Sequence, residues 1–135
     1  MGRENRHLAI IKAVLPVLES EGYQITQFHH HSRMPKSLKG VPDLYIMNFG
    51  FSMWIEIKPL YANYMRDQMS NVQWLWFHDR RDHFSDMLKY AIVTDADELL
   101  EVTTMKPTSS LNWVEPYIYI PEYHWGRYEQ WRRGR

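Results

Sequence analysis

Cysteine is absent from this chain, which excludes disulfides and thiolate chemistry and leaves any zinc site to histidines and carboxylates. Long apolar runs are missing too; none approaches the ~20 residues that span a bilayer. The opening Met-Gly-Arg-Glu-Asn-Arg has no signal-peptide core, so a soluble, cytoplasmic protein without membrane contact is expected. Net charge is also lacking, at +0 from 16 basic and 16 acidic residues, which argues against a protein that coats nucleic acid by bulk attraction. What remains is a globular composition, 44% apolar over 135 residues, enough for the core of one domain. The charges are unevenly placed. Arg33, Lys36 and Lys39 stand beside His29, His30 and His31, Arg127, Arg132, Arg133 and Arg135 crowd the C-terminus, and the acids gather between Asp86 and Glu122.

The most informative stretch is Gly40 to Lys58. Val41–Met47 and Ser52–Lys58 are rich in β-branched and aromatic residues, and Asn48, Phe49, Gly50 and Phe51 between them suit a four-residue hairpin loop. Strand alternation puts Ser52, Trp54, Glu56 and Lys58 on one face and Met53, Ile55 and Ile57 on the other. If Met47 pairs with Ser52, Asp43 falls directly opposite Glu56. Like charges so placed are destabilising, and such a pair calls for a cation or a proton. Hard divalent ions take oxygen ligands of this kind. Lys58 follows on the Glu56 face, where it can orient a water or steady developing negative charge. Metal-assisted phosphodiester hydrolysis requires that set of groups.

Along the chain, Leu8, Ile11, Leu15 and Leu18 predict a helix from Glu4 to Ser20, with Pro16 kinking it or marking its last turn and Gly22 as its stop. Glu4, one turn before Leu8, would extend the buried stripe toward a site; a first-turn acid favoured by the helix dipole explains it equally well. Tyr23–Phe28 reads as a strand and His29–Lys39 as a loop. Adjacent histidines on an extended chain point to opposite faces, so the triplet does not readily hold one ion. Ser70-Asn-Val-Gln73 is a capping box that opens a helix to about Arg81. In that helix Val72, Leu75, Trp76 and Asp79 share one side, with Trp74 and Phe77 on another. Tyr90–Thr94 reads as a buried strand, Thr94 or Asp95 as the cap of a third helix, with Asp95 and Glu98 in capping-box spacing, and Tyr117–Ile120 as a last edge strand. The order of strands and helices predicts an α/β fold with a mixed central sheet flanked by helices. Tyr123–Arg135 mixes Tyr, Trp and Arg, groups that stack on bases and grip phosphates but also build ordinary protein interfaces.

Together, Gly40-Val-Pro-Asp43, Glu56-Ile-Lys58 and Ser70-Asn-Val-Gln73 resemble the PD-(D/E)XK nuclease superfamily, and within it the virus-type replication-repair (VRR-NUC) nuclease family. The resemblance covers roughly Glu4 to Leu100. It implies a restriction-endonuclease-like core over residues 1–104, with residues 105–135 as a C-terminal extension packed on the same domain. It implies Asp43 and Glu56 as metal ligands, with the Ile57 carbonyl as a further one and Mg²⁺ or Mn²⁺ as the ion. Lys58 becomes the catalytic lysine, Gln73 the helix residue beside the site, and Glu4 the acid of the first helix. Arg33, Lys36 and Lys39 would guide the DNA backbone. Branched DNA such as a Holliday junction is the implied substrate, and two symmetric cuts imply a homodimer. A homing- or restriction-type sequence-specific endonuclease is the second reading, and a non-catalytic DNA-binding protein of the same fold the third.

Overall fold

Helix α1, Arg3–Ser20, runs through Pro16 without stopping. Pro16 and Lys12, whose carbonyl the missing N–H would have served, both face solvent, so water can take that bond. The structure, a computed structural model, describes residues 3–28, 39–59, 68–104 and 113–134, with the side chains of 3–5 and 104 outside the description. The buried stripe of α1 is Ile11, Val14 and Leu18, with Ile10 and Leu15 at its edge. Leu8, expected in that stripe, is 40% exposed. The stripe therefore starts a turn later than expected, and the argument that Glu4 prolongs it loses its footing. The Glu4 side chain lies outside the described residues. Gly22 ends the helix as expected: at φ +90° it lets Tyr23 N–H reach Leu18 O and its own N–H reach Glu19 O, which closes the last turn.

Five strands form one mixed sheet in chain order. They are β1 Gln24–Gln27, β2 Leu44–Met47, β3 Ser52–Ile57, β4 Leu88–Val93 and β5 Ile118–Tyr119. The first three pair antiparallel, and β3, β4 and β5 pair parallel. The parallel steps need crossovers. Helix α2, Asn71–Arg80, lies in the first and helix α3, Ala96–Thr104, in the second. The α/β architecture with a mixed, helix-flanked sheet is as the sequence predicts. Strand ends differ: β2 begins at Leu44, not Val41, and β4 begins two residues before Tyr90.

Alternation in β3 divides the core in two. Met53, Ile55 and Ile57 pack with α1 and α3, while Trp54 meets Trp76, Phe77 and Tyr90 on the α2 side. In α2 the buried side chains are Trp74, Trp76 and Phe77, whereas Val72 and Leu75 are 45% and 40% exposed. The sequence offers two competing apolar sides, and the three aromatic rings win because they bury more area. The C-terminal segment holds a helix that the sequence does not announce: α4, Trp125–Gly134, places Tyr128 against Phe77 with ring centroids 6.1 Å apart.

Gly40, at φ +83°, joins the hairpin to α2; a Cβ there would lie 2.4 Å from the Val72 carbonyl oxygen. Gly40→Ala is expected to destabilise by about 2 kcal/mol or more, through backbone strain and that collision. Gly22→Ala, with nothing within 4 Å, suffers the strain alone. Urea denaturation of both variants measures the difference, and equal losses would remove the collision from the account.

Candidate active site

Register decides what meets at the open end of the β2–β3 hairpin. Met47 pairs with Ser52 and Leu44 with Ile55, the register expected, so Asp43 and Glu56 are the next opposed residues. The bond from Asn48 N–H to Phe51 O, 3.0 Å, sets the phase of the ladder. Asp43 lies just outside β2, and a ladder continued by one step would make Asp43 and Glu56 a non-hydrogen-bonded pair, the kind whose side chains approach more closely. Their Cβ atoms would then be on the order of 4.5–5.5 Å apart.

Pro42 comes next, opposite Ile57, and has no N–H to give the ladder. Asp43 stands at this break. Its Oδ2 accepts the Ile57 N–H at 2.7 Å, and its backbone carbonyl accepts the Phe28 N–H at 2.9 Å. A strand residue points its N–H and C=O to the same edge. The Ile57 carbonyl therefore faces Pro42, which has no donor for it, on the side where the Asp43 carboxylate sits.

Glu56 is 1% exposed, and Gln73 reaches it from α2. The Gln73 amide does two jobs. Its Oε1 accepts the Ser70 N–H at 2.8 Å to complete the capping box, and its Nε2 donates to Glu56 Oε1 at 3.1 Å. The backbone donor at Ser70 fixes which end of the amide turns toward the carboxylate. Lys58, also buried, follows Glu56 by two residues, and its N–H donates to Val93 O at 2.8 Å. Beneath the pair lies Tyr90, beside Trp54 on β4. Burial first, then the charges of Glu56 and Asp43, hold its phenol pKa well above the ordinary value near 10.

No family model, curated protein or solved structure matches the chain.

Of the residues singled out in the sequence, Asp43, Glu56, Ile57, Lys58 and Gln73 come together at one end of the hairpin. Lys39 is exposed at the rim, one residue before Gly40. Arg33 and Lys36 lie outside the described residues, as do the three histidines beside them. Two neighbours escape a reading of the sequence. Tyr90 is placed only by the β3–β4 pairing, and Pro42 reads as a turn residue until its position opposite Ile57 is known.

Among the described residues no three His, Asp or Glu side chains converge as a metal cage. The donor set is two carboxylates and a backbone carbonyl. An all-oxygen set of that size suits Mg²⁺ or Mn²⁺, which fill their other positions with water or phosphate. The residues present fit such an ion. A crevice of about 550 Å³ opens past the C-terminal ends of β3 and β4, lined by Pro59, Arg6, Thr94, Asp95 and Tyr123 among others, while Asp43, Glu56, Lys58 and Gln73 lie outside its lining. In α/β sheets ligands commonly enter at this edge.

Because folding raises the Tyr90 pKa, its contribution to stability is complete below about pH 10 and is lost as the pH climbs above it. Tyr90→Phe removes that titration. The fall in unfolding free energy between about pH 9 and about pH 11 should become shallower, though Tyr119 and Tyr128 still contribute. Urea denaturation at the two pH values decides; an unchanged slope would show that the phenol ionises as readily in the fold as outside it.

Proposed function

We propose that the chain is a metal-dependent endodeoxyribonuclease with a restriction-endonuclease-like core, cutting branched DNA such as a Holliday junction. The observation that carries this reading is the opposed Asp43–Glu56 pair, buried, clamped by separate donors and followed by Lys58. Opposed carboxylates weaken a sheet, and a metal site gives the arrangement a use.

Asp43, Glu56 and the Ile57 carbonyl would hold Mg²⁺ or Mn²⁺. Such an ion, when bound, polarises a phosphodiester and lowers the pKa of water. The protein's own groups do the rest. Ile57 N–H and Gln73 Nε2 fix the two carboxylates from opposite sides, so neither needs to reorganise. The Lys58 ammonium would orient a water or stabilise the extra charge on phosphorus-bound oxygens. Lys39, with Arg33 and Lys36, would guide the backbone, and a homodimer would supply two symmetric cuts.

Cleavage assays with a four-way junction, linear duplex, single strand and plasmid, in Mg²⁺, Mn²⁺ or EDTA, test the proposal. Asp43→Asn and Glu56→Gln should each lower the rate by about two to three orders of magnitude. Cleavage that survives EDTA or both substitutions would sink the metal mechanism. Discrete plasmid cuts without junction cleavage would favour the sequence-specific reading, and binding without cutting the non-catalytic one. A second prediction needs no substrate. In EDTA, Asp43→Asn keeps an acceptor for Ile57 N–H while removing the repulsion, so it should raise unfolding stability by up to about 1 kcal/mol. Mg²⁺ or Mn²⁺ should raise the Tm of the wild type and leave that of the variant unmoved.

A further inference from the structure

We propose that Arg127 is a positioning residue that grips a backbone phosphate of the DNA beside the Asp43–Glu56 site. The inference rests on the nuclease reading of that site. It starts from how the C-terminal helix is docked. Gln68 Nε2 donates to the Tyr123 hydroxyl at 3.0 Å, and Arg127 Nη2 donates to Asn71 Oδ1 at 2.7 Å. These two bonds flank Ser70, so the start of α4 is fixed against the start of α2. Two residues beyond Asn71, Gln73 holds Glu56. Arg127, far from the motif residues in sequence, thus belongs to the rim of their site.

Charge sets Arg127 apart from its neighbours on the same helix. Arg132 and Arg133 share the carboxylate of Glu129, at 2.9 and 3.4 Å. On the facing side Arg81 is paired with Glu115 at 2.7 Å. Arg127 has only the neutral Asn71 oxygen; among the described residues no carboxylate lies within ion-pair distance of it. One of its five donors is used, which leaves the rest of the fork for a bidentate acceptor. Lys39 arrives at the same rim because Gly40 packs on the Val72 carbonyl, next to Asn71. It is exposed, also without an ion pair among the described residues. Arg127 and Lys39 are thus two cations without an ion pair among the described residues, both at the first turn of the helix that carries Gln73. A phosphate approaching Asp43 and Glu56 is repelled unless cations flank its path. The guanidinium fork matches phosphate oxygens in geometry as well as in charge.

The test compares wild type, Arg127→Gln, Arg127→Lys and Arg133→Gln, with labelled four-way junction and duplex bound in Ca²⁺ across a salt series. Glutamine keeps a donor for Asn71 and removes only the charge; circular dichroism and Tm confirm that it folds. Arg127→Gln should weaken binding on the order of tenfold, alike for different sequences, and lower the slope of log K against log salt by about one. Arg127→Lys should recover the slope, and Arg133→Gln should change neither quantity. In Mg²⁺ turnover, KM rises with kcat held within about twofold. An unchanged salt slope in Arg127→Gln, or the same loss in Arg133→Gln, overturns the proposal. Wild type that cuts DNA while Arg127→Gln keeps its slope refutes this inference and leaves the nuclease reading standing. Wild type that binds but never cuts, with the slope change intact, refutes the nuclease reading and leaves Arg127 as a DNA contact. Wild type that binds no DNA refutes both.

Discussion

The hydrogen bond from the Ile57 N–H to the Asp43 carboxylate is the contact on which the candidate site depends. It stands where a ladder bond to Pro42 would otherwise be. The ladder stops at Leu44–Ile55, and the Asp43 carboxylate, not the Pro42 carbonyl, accepts the Ile57 N–H, while proline's missing N–H leaves that strand without a donor for the Ile57 carbonyl. The carboxylate is thereby held against β3, opposite Glu56, and the Ile57 carbonyl is left facing it. A Pro-Asp dipeptide at the mouth of a hairpin is thus a device for ending a ladder and presenting oxygen atoms at the break.

The surrounding packing makes this arrangement tolerable. Trp54, Trp76, Phe77 and Tyr90 form a continuous aromatic layer between the sheet and α2, with Trp54 and Trp76 centroids 4.9 Å apart and Phe77 and Tyr90 4.7 Å apart. Large rings bury much area with little side-chain entropy to lose, which lets the layer offset two charges kept out of water. Tyr128 extends the same layer from α4, so the C-terminal helix contributes to the packing beneath the site as well as to its rim.

Local features were legible in the sequence, and non-local ones were not. The hairpin register follows from period-two alternation and loop length, and Ser70 with Gln73 follows from a four-residue pattern, since each depends on chain neighbours alone. Leu8 is exposed where the apolar stripe predicts burial, and the Val72–Leu75 side of α2 could not be ranked against the Trp74–Phe77 side, because a helix with two apolar sides does not say which one the sheet will cover. Helix α4 was invisible for a related reason. Half of its sequence is Arg, Glu and Gln, with Tyr128 as its one fully buried side chain, and its place is set by Gln68, Asn71 and Phe77, all more than 40 residues earlier. Tyr90 could not be matched to the carboxylates before the parallel pairing of β3 with β4 was known.

The doubly engaged Gln73 amide ties a helix end to a carboxylate, and that tie has a thermodynamic consequence. Any ligand that takes Glu56 Oε1 competes with Gln73 Nε2 and so loosens the residue that caps α2; any perturbation that frays the first turn of α2 releases Glu56. The two events share one free energy of coupling and must affect each other equally. The folding of a ten-residue helix and the affinity of the site beside it are therefore reciprocal quantities, joined through a single side chain.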